Sequence, residues 1–374
     1  MSDKLSLYIH IPFCMKKCLY CDFPSYSNME SYMMDYSNAL AKEIEKLDYD
    51  NFYTIFIGGG TPTYLSLEGW RIISNAIKNK IKNKFTEFTV EVNPGTADRQ
   101  KLLFLKSIGV NRLSIGLQAW QNQHLKELGR IHKLEEFLEL YNSAREVGFK
   151  NINIDLMYGL PNQDLGQWKE TLENAVQLQP EHISCYSLII EEGTPFYSMY
   201  ENKVIELPSE EIERKMNDFT IEFLAKNNYN RYEISNYSKK GMECKHNLVY
   251  WDLENYIGCG AGAHSYIEGS RFNNTQSIKE YIEKVNSSEN AHKEMLENTL
   301  ENNMEEFMFL GLRKINGISI EKFNKKFKKS IYAVYGQVID KYIESKHMLK
   351  DGDRLHLSNS GIEISNTIMS DFIL

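Results

Sequence analysis

The chain of 374 residues has few prolines, no long apolar run and more acidic than basic residues. With only 8 prolines beside 23 tyrosines and 18 phenylalanines, broad disorder is not expected. No apolar run approaches the length of a membrane span, and residues 1–10 lack the apolar core and cleavage site of a signal peptide. The formal charge of −8 disfavours a general nucleic-acid binder. These absences favour a soluble cytoplasmic protein with one large and one small domain.

Cysteine is also scarce, but three of the six cysteines lie within eight residues, at Cys14, Cys18 and Cys21. In the cytoplasm such thiols are more often metal ligands than disulfide partners. Three thiolates suit an iron–sulfur cluster or zinc, and a closed zinc site needs a fourth ligand. His10 is near in sequence but lies on a predicted strand and need not face the thiolates. We therefore expect a 4Fe–4S cluster with one iron open to a ligand, and zinc is the alternative.

Short β-like runs alternate with amphipathic stretches over the first part of the chain. The predicted strands are 5–11, 53–58, 88–92, 112–118, 151–157 and 182–190, and the predicted helices are 29–47, 67–81, 97–109, 133–148, 165–178 and 209–227. This alternation predicts an α/β fold with a parallel sheet and right-handed crossovers, in a partial (β/α)6 barrel. Glu91, Gln118 and Asp155 fall near the C-terminal ends of their strands, where barrels build sites. We expect a shared pocket there.

The pattern becomes less regular from residue 232 and changes again near residue 296. Three helix-like stretches, 304–315, 319–327 and 332–348, then precede a hairpin-like segment around Asp351 and Gly352. Helices followed by such a wing predict a small winged-helix-like domain. The sequence thus predicts a barrel of residues 1–231, an irregular extension of residues 232–295 and a C-terminal domain of residues 296–374.

The segment from Tyr8 to Phe23, YIHIPFCMKKCLYCDF, contains CxxxCxxC with an aromatic residue before the third cysteine. This motif resembles the signature of the radical S-adenosylmethionine superfamily, in which the open iron of a 4Fe–4S cluster chelates the methionine end of the cofactor. The resemblance implies cleavage of that cofactor to a 5′-deoxyadenosyl radical. The later segment FIGGGTPT resembles the superfamily's segment for the methionine amino group, where glycines let the backbone approach a ligand.

Further motifs, GGGTPTYL, EVNPGT, SIGLQ, LGRIH and NIDLMYGLP, resemble the oxygen-independent coproporphyrinogen III oxidase family over nearly the whole chain. At matching positions, this resemblance implies that one S-adenosylmethionine contacts Tyr8, Gly59 and Glu91. It implies that a second one contacts Gln118, Arg130 and Asp155. Tyr20, Gly60 and Thr61 lie in the same motifs and are further candidates for cofactor binding.

Two features separate the chain from the oxidases of that family. Phe23 stands where they have a further cysteine, and only seven residues precede Tyr8, where they have a segment that closes over the substrate. The HNLVYW segment, His246 to Trp251, instead resembles the HNxxYW motif of the family's haem-chaperone branch. This resemblance implies a protein that binds haem through His246 and Trp251 and delivers it to acceptor haem proteins. It assigns no catalytic residue.

Several alternatives stay open at this point. His246 is also consistent with a histidine that is only hydrogen-bonded beneath Trp251. The chain as a whole is also consistent with a radical oxidase of a porphyrinogen, or with a zinc or iron–sulfur interaction protein without radical chemistry. The sequence identifies no acceptor protein and leaves the oligomeric state open, a homodimer included.

Overall fold

The computed structural model describes residues 5–374, so residues 1–4, with which the predicted barrel domain begins, lie outside the described part. Its first half contains six parallel strands at the predicted places. They are β1 (Ser6–Ile11), β2 (Thr54–Gly59), β3 (Glu87–Val92), β4 (Arg112–Gln118), β5 (Ile152–Tyr158) and β6 (His182–Ser187). Each strand pairs with the next one in sequence. The predicted α/β fold with a partial parallel barrel is confirmed.

Helices connect and follow these strands along the chain. They are α1 (Met33–Lys46), α2 (Leu67–Lys80), α3 (Arg99–Ser107), α4 (Asn122–Glu127), α5 (Leu134–Val147), α6 (Leu165–Gln177), α7 (Pro195–Glu201) and α8 (Glu210–Lys226). Local signals set their ends. Asp164 caps α6 by accepting from the Gln167 N–H, and Gly148, with a left-handed φ of +93°, caps the C-terminal end of α5. No helix within residues 5–374 is long and apolar enough to cross a membrane.

The sheet continues beyond both ends of the six parallel strands. Next to β6 lie β8 (Asn236–Ser238) and β7 (Asn230–Arg231), and next to β1 lie β9 (Tyr256–Cys259), β10 (His264–Ile267), β11 (Ser270–Asn274) and β12 (His292–Glu297). Two helices, α9 (Lys245–Trp251) and α10 (Ile278–Asn286), separate some of these strands. Residues 232–295 therefore contain more regular structure than the sequence pattern indicated. The strands β8 to β11 have only three to five residues and are too short to show a clear period.

The C-terminal part contains five helices and a sheet of three strands. They are α11 (Leu300–Gly311), β13 (Ile318–Ser319), α12 (Ile320–Phe327), α13 (Ile331–Glu344), β14 (Met348–Asp351), β15 (Arg354–Leu357), α14 (Asn359–Glu363) and α15 (Ser365–Ser370). The sheet order is β13-β15-β14, and Phe307, Phe323 and Tyr335 belong to a buried apolar cluster beneath it. The antiparallel pair β14–β15 forms the wing, so the predicted winged-helix-like character is confirmed.

Candidate functional site

The loop that carries the cysteines follows β1 and is held by backbone hydrogen bonds. The N–H of Cys14 donates to the Tyr26 carbonyl at 2.9 Å, which closes the loop on itself. The N–H of Thr61, just after β2, donates to the Phe13 carbonyl at 2.8 Å. The turn after β2 therefore fixes where the cysteine loop starts.

Two of the three thiols are joined by a chain of side-chain hydrogen bonds. The Thr61 hydroxyl donates to Cys14 Sγ at 3.7 Å and accepts from the Asn93 amide at 2.8 Å. Asn93 Oδ1 accepts from Arg130 Nη2 at 2.7 Å, and Arg130 Nη1 donates to Cys18 Sγ at 3.7 Å. Because thiolates and cluster sulfurs accept hydrogen bonds, these donors favour negative charge on the sulfurs.

Cys14, Cys18 and Cys21 are all free thiols and partly buried. Burial raises the pKa of the Cys14 and Cys21 thiols, while hydrogen bonds from Thr61 to Cys14 and from Ser25 to Cys21 act in the opposite direction. Among the described residues, no three Cys, His, Asp or Glu side chains converge as a single metal ion requires. Three partly buried thiols on one loop are the donor set that a 4Fe–4S cluster takes, with each thiolate on a separate iron.

The glycines after β2 lie where the backbone passes closest to the cysteine loop. A Cβ added at Gly60 would come within 2.7 Å of the Phe13 carbonyl oxygen and 3.0 Å of Cys14 Sγ. Gly59 has a left-handed φ of +113°, and a Cβ added there would clash with the His10 ring. A side chain at Gly60 would thus displace the loop that carries Cys14, in addition to any effect on a bound ligand.

Two carboxylates face the same region from β3 and β5. Glu91 Oε2 accepts from the Gly59 N–H at 3.0 Å. Burial, and secondarily the neighbouring Asp155 carboxylate, raises the pKa of Glu91 from its ordinary 4.5 to about 7. Asp155 accepts from the Ser114 hydroxyl at 3.0 Å and from the Asn153 amide at 2.7 Å. These groups can accept from an ammonium or from ribose hydroxyls, which S-adenosylmethionine carries.

One cleft, with about 950 Å³ of empty space that is partly open to solvent, brings most of the predicted site residues together. It is lined by Cys14, Cys18, Cys21, Tyr20, Gly59, Gly60, Thr61, Glu91, Gln118, Arg130 and Asp155. Tyr8 does not line the cleft, because its hydroxyl lies 2.9 Å from His10 Nδ1 and its ring stacks on Phe56. Gln118 has a left-handed φ of +74° where the pairing of β4 with β5 shifts register. Such strain is common at ligand sites.

Asn93, Ser114 and His132 also line the cleft, although the sequence analysis gave them no role. His132 is only 4% exposed, and its Nε2 has no hydrogen-bond partner in the described part of the chain. Burial and the Arg130 charge lower the pKa of His132 to about 3, so the ring is neutral. The signal that could have indicated Asn93 and His132 was their position in the sequence. Asn93 lies in EVNPGT and His132 in LGRIH, each two residues after a predicted site residue.

His246 and Trp251, the predicted haem contacts, lie outside the cleft. The His246 ring is fully buried on α9, with Nδ1 2.8 Å from the Thr54 hydroxyl and Nε2 2.8 Å from the Tyr250 hydroxyl. Burial lowers the pKa of His246 to about 3. Thr54 begins β2, whereas the cleft lies beyond the C-terminal end of that strand, so His246 sits at the opposite end of the barrel. The Trp251 ring stacks near Arg313, whose guanidinium lies 4.8 Å from the ring centre.

Comparison with known proteins identifies relatives of the whole chain. Residues 8–175 match the family model of the Radical SAM superfamily, and residues 298–364 match that of the HemN C-terminal domain. The chain is 39% identical to "Heme chaperone HemW" of Bacillus subtilis (strain 168), over 98% of this chain and 99% of that protein. It is 37% identical to the protein of the same name from Lactococcus lactis subsp. lactis (strain IL1403), over 99% of this chain and 97% of that protein.

Among solved structures, the fold is similar to that of coproporphyrinogen III oxidase (HemN) from Escherichia coli, which is a radical SAM enzyme. The TM-score is 0.86 at 23% identity, over 99% of this chain and 90% of that chain. At this identity the similarity concerns the fold alone. The two sequence relatives, in contrast, are similar from end to end, and the segment that matches the superfamily model, residues 8–175, includes the cysteine loop. The chain belongs to the HemW family within the Radical SAM superfamily.

Proposed function

We propose that this protein is a haem chaperone, which binds haem and delivers it to acceptor haem proteins. The observation that carries the proposal is its end-to-end similarity, at 39% and 37% identity, to two proteins named heme chaperone. Phe23 supports the same reading, because it stands where the resembling oxidases have a further cysteine. The similarity to coproporphyrinogen III oxidase is a similarity of fold, and it gives no separate support to oxidase activity.

The cleft is proposed to hold a 4Fe–4S cluster on Cys14, Cys18 and Cys21, with S-adenosylmethionine beside it. When bound, these groups supply one-electron chemistry. The chain's own donors suit this role, since Arg130 and Thr61 point hydrogens at two of the sulfurs.

The remaining predicted contacts fall into two groups. Tyr20, Gly59, Gly60, Thr61, Glu91, Gln118, Arg130 and Asp155 are proposed to contact S-adenosylmethionine from the walls of the cleft. Tyr8 stays a predicted contact, but it would have to release its hydroxyl from His10 to reach a ligand in the cleft.

The mouth of the cleft offers apolar surface that suits a porphyrin. Met15, Phe23 and Ile131 line the cleft and are 44%, 61% and 47% exposed. Several exposed apolar side chains beside a pocket indicate a binding surface more often than a single exposed apolar side chain on the rest of the surface. We propose that one face of the haem packs on these three side chains.

His246 and Trp251 remain the predicted haem contacts from the HNxxYW resemblance. Coordination of haem iron by His246 would require breaking its hydrogen bond to Thr54 or Tyr250 and exposing a fully buried ring. Opening at Nε2 would also require the Tyr250 ring to move from its contact with Tyr256 on β9, 4.6 Å between ring centres.

The proposal extends to organisation and location. We propose a barrel of residues 1–231, an extension of residues 232–295 and a C-terminal domain of residues 296–374. A cytoplasmic location is supported by six cysteines that are all unpaired. A homodimer is the proposed oligomeric state.

Haem titration of the anaerobically reconstituted protein tests this function and separates the two candidate haem surfaces. We expect roughly micromolar or tighter binding, near −8 kcal/mol. Phe23→Ser should weaken haem binding if the cleft mouth holds haem. His246→Ala should shift the haem absorption band if Nε2 of His246 binds the haem iron. The matched control is Leu349→Ser, which also removes an exposed apolar side chain but lies on β14. Failure of the unmutated protein to bind haem would contradict the proposal.

A further inference from the structure

Five histidines are buried in the part of the chain that the structure describes, and one of them has a ring nitrogen without a partner. In the other four, both ring nitrogens lie within hydrogen-bond distance of an oxygen; these are His10, His124, His182 and His246. His132 leaves its Nε2 unpaired, and it is also the only one of the five that lines the cleft. Because folded proteins rarely leave a buried polar atom unpaired, the open nitrogen points to a partner that binds in the cleft.

The other ring nitrogen of His132 determines what kind of partner Nε2 can take. The Leu117 carbonyl, near the end of β4, accepts a hydrogen bond from the ring, and Nε2 has no partner, so the donor is Nδ1. With the hydrogen on Nδ1, Nε2 of a neutral imidazole carries a lone pair. Burial and the Arg130 charge lower the pKa of His132 to about 3, which keeps the ring neutral. Nε2 is therefore an acceptor that needs a hydrogen-bond donor.

The segment that carries His132 packs against the cysteine loop. The Leu128 carbonyl, just after α4, accepts from the Leu19 N–H of that loop at 3.0 Å. Gly129 has a left-handed φ of +78°, and a Cβ added there would lie 2.9 Å from Leu19 Cγ. The backbone leading to His132 is thus fixed on one side by the cysteine loop, and its ring is fixed on the other side by β4. This packing holds the ring in the wall of the cleft.

The charges in the cleft indicate which donors Nε2 can accept from. The positive charge of Arg130 disfavours a proton on His132, and it equally disfavours a cationic donor such as an ammonium group beside that ring. The carboxylates Glu91 and Asp155 suit the ammonium of S-adenosylmethionine better. The neutral donors of S-adenosylmethionine are the adenine 6-amino group and the ribose hydroxyls, and all of them belong to its nucleoside half.

We propose that Nε2 of His132 accepts a hydrogen bond from a neutral donor on the nucleoside half of S-adenosylmethionine. The contact accounts both for the unpaired nitrogen and for the place of the ring in the cleft wall. It makes His132 a binding residue in addition to those that the family motifs indicated. This inference rests on the proposed binding of S-adenosylmethionine in the cleft, and it does not depend on haem binding.

Titration of the anaerobically reconstituted protein with S-adenosylmethionine in a calorimeter tests the contact. His132→Phe keeps a planar ring without an acceptor and should weaken binding by about five- to tenfold, a typical effect of losing one neutral hydrogen bond. His132→Gln retains an acceptor oxygen and should recover most of the affinity. The iron content of each variant, measured first, shows whether the cluster site is intact. The matched control is His264→Phe, which replaces an exposed histidine outside the cleft and should leave the affinity unchanged.

Analogues of S-adenosylmethionine identify the donor and separate a contact from a structural effect. One analogue has hydrogen in place of the 6-amino group, and two others lack the 2′- or the 3′-hydroxyl. The unmutated protein and His132→Phe should bind the analogue that lacks the true donor equally well, and the difference between them should persist with the other two. An equal loss with every ligand, or no loss with S-adenosylmethionine itself, would overturn the contact.

The same titration distinguishes a failure of this inference from a failure of the proposed function. An unmutated protein that binds haem but no S-adenosylmethionine would overturn the His132 contact and leave the haem-chaperone proposal standing. An unmutated protein that binds S-adenosylmethionine, with the expected loss in His132→Phe, but binds no haem would support the contact and contradict the chaperone proposal.

Discussion

The Glu91 carboxyl, which is a proposed S-adenosylmethionine contact, should lower the stability of the protein above neutral pH. Its pKa in the folded chain is about 7, against an ordinary value of 4.5, and burial is the main cause. The folded state therefore holds the proton more tightly than the unfolded state. The contribution of the protonated Glu91 carboxyl to the free energy of unfolding is fully present below pH 4.5. It is lost as the pH rises towards about 7. At about 1.4 kcal/mol for each pKa unit, the loss is on the order of 3 kcal/mol.

Glu91→Gln removes the charge but keeps an oxygen that can accept from the Gly59 N–H. Urea unfolding of the cofactor-free protein at pH 5 and pH 8 measures the effect. We expect the variant to be more stable than the unmutated protein at pH 8, by up to about 3 kcal/mol, and to differ little at pH 5. The same variant should bind S-adenosylmethionine more weakly, because a neutral amide attracts an ammonium less than a carboxylate does.

The control is Glu43→Gln, which neutralises another buried carboxyl with a raised pKa, bonded to Tyr281, Asn274 and the Gly260 N–H. Glu43 does not line the cleft, so S-adenosylmethionine affinity should not change. Equal stability of Glu91→Gln and the unmutated protein at pH 8 would refute the raised pKa. Unchanged S-adenosylmethionine affinity would refute the assigned contact.

Three further changes test the site. Ala at Cys14, Cys18 or Cys21 should abolish the iron–sulfur absorbance of the reconstituted protein, and stoichiometric zinc in its place would contradict the cluster. Gly60→Ala should lower the iron content, because the added Cβ would lie 2.7 Å from the Phe13 carbonyl oxygen. A normal iron content with weaker S-adenosylmethionine binding would show that the added Cβ affects only the ligand. Asn93→Ala should speed air bleaching of the cluster, since it removes the link between the donors to Cys14 and Cys18, and an unchanged bleaching rate would contradict that role.

The fold was predictable where long periodic segments recur. The six strand–helix units of the barrel have enough residues to show their period, and their predicted and observed positions agree closely. The strands β9, β10 and β11 have only four or five residues, and their place in the sheet depends on the pairing of β9 with β1, which is distant in sequence. No local pattern specifies such a pairing.

The sequence indicated most of the residues that share the cleft, but not the hydrogen bonds between them. Motif positions indicated Cys14, Glu91 and Arg130, and the structure brings them into one cleft. The link through Asn93 needed coordinates, because it joins side chains from three different loops. A hydrogen-bonded His246 was one of the readings that the sequence left open, but its bond to Thr54 needed coordinates, because Thr54 is distant in sequence.

The most direct test of the central claim compares haem transfer with porphyrinogen oxidation by the same anaerobic, cluster-loaded preparation. One sample is loaded with haem and mixed with a haem-free acceptor protein, and the acceptor's absorption band is followed. A second sample receives coproporphyrinogen III with S-adenosylmethionine and a reductant. We expect haem to appear on the acceptor faster than from free haem at equal concentration, with no protoporphyrinogen formed. Steady formation of protoporphyrinogen, with no haem retained or transferred, would contradict the account.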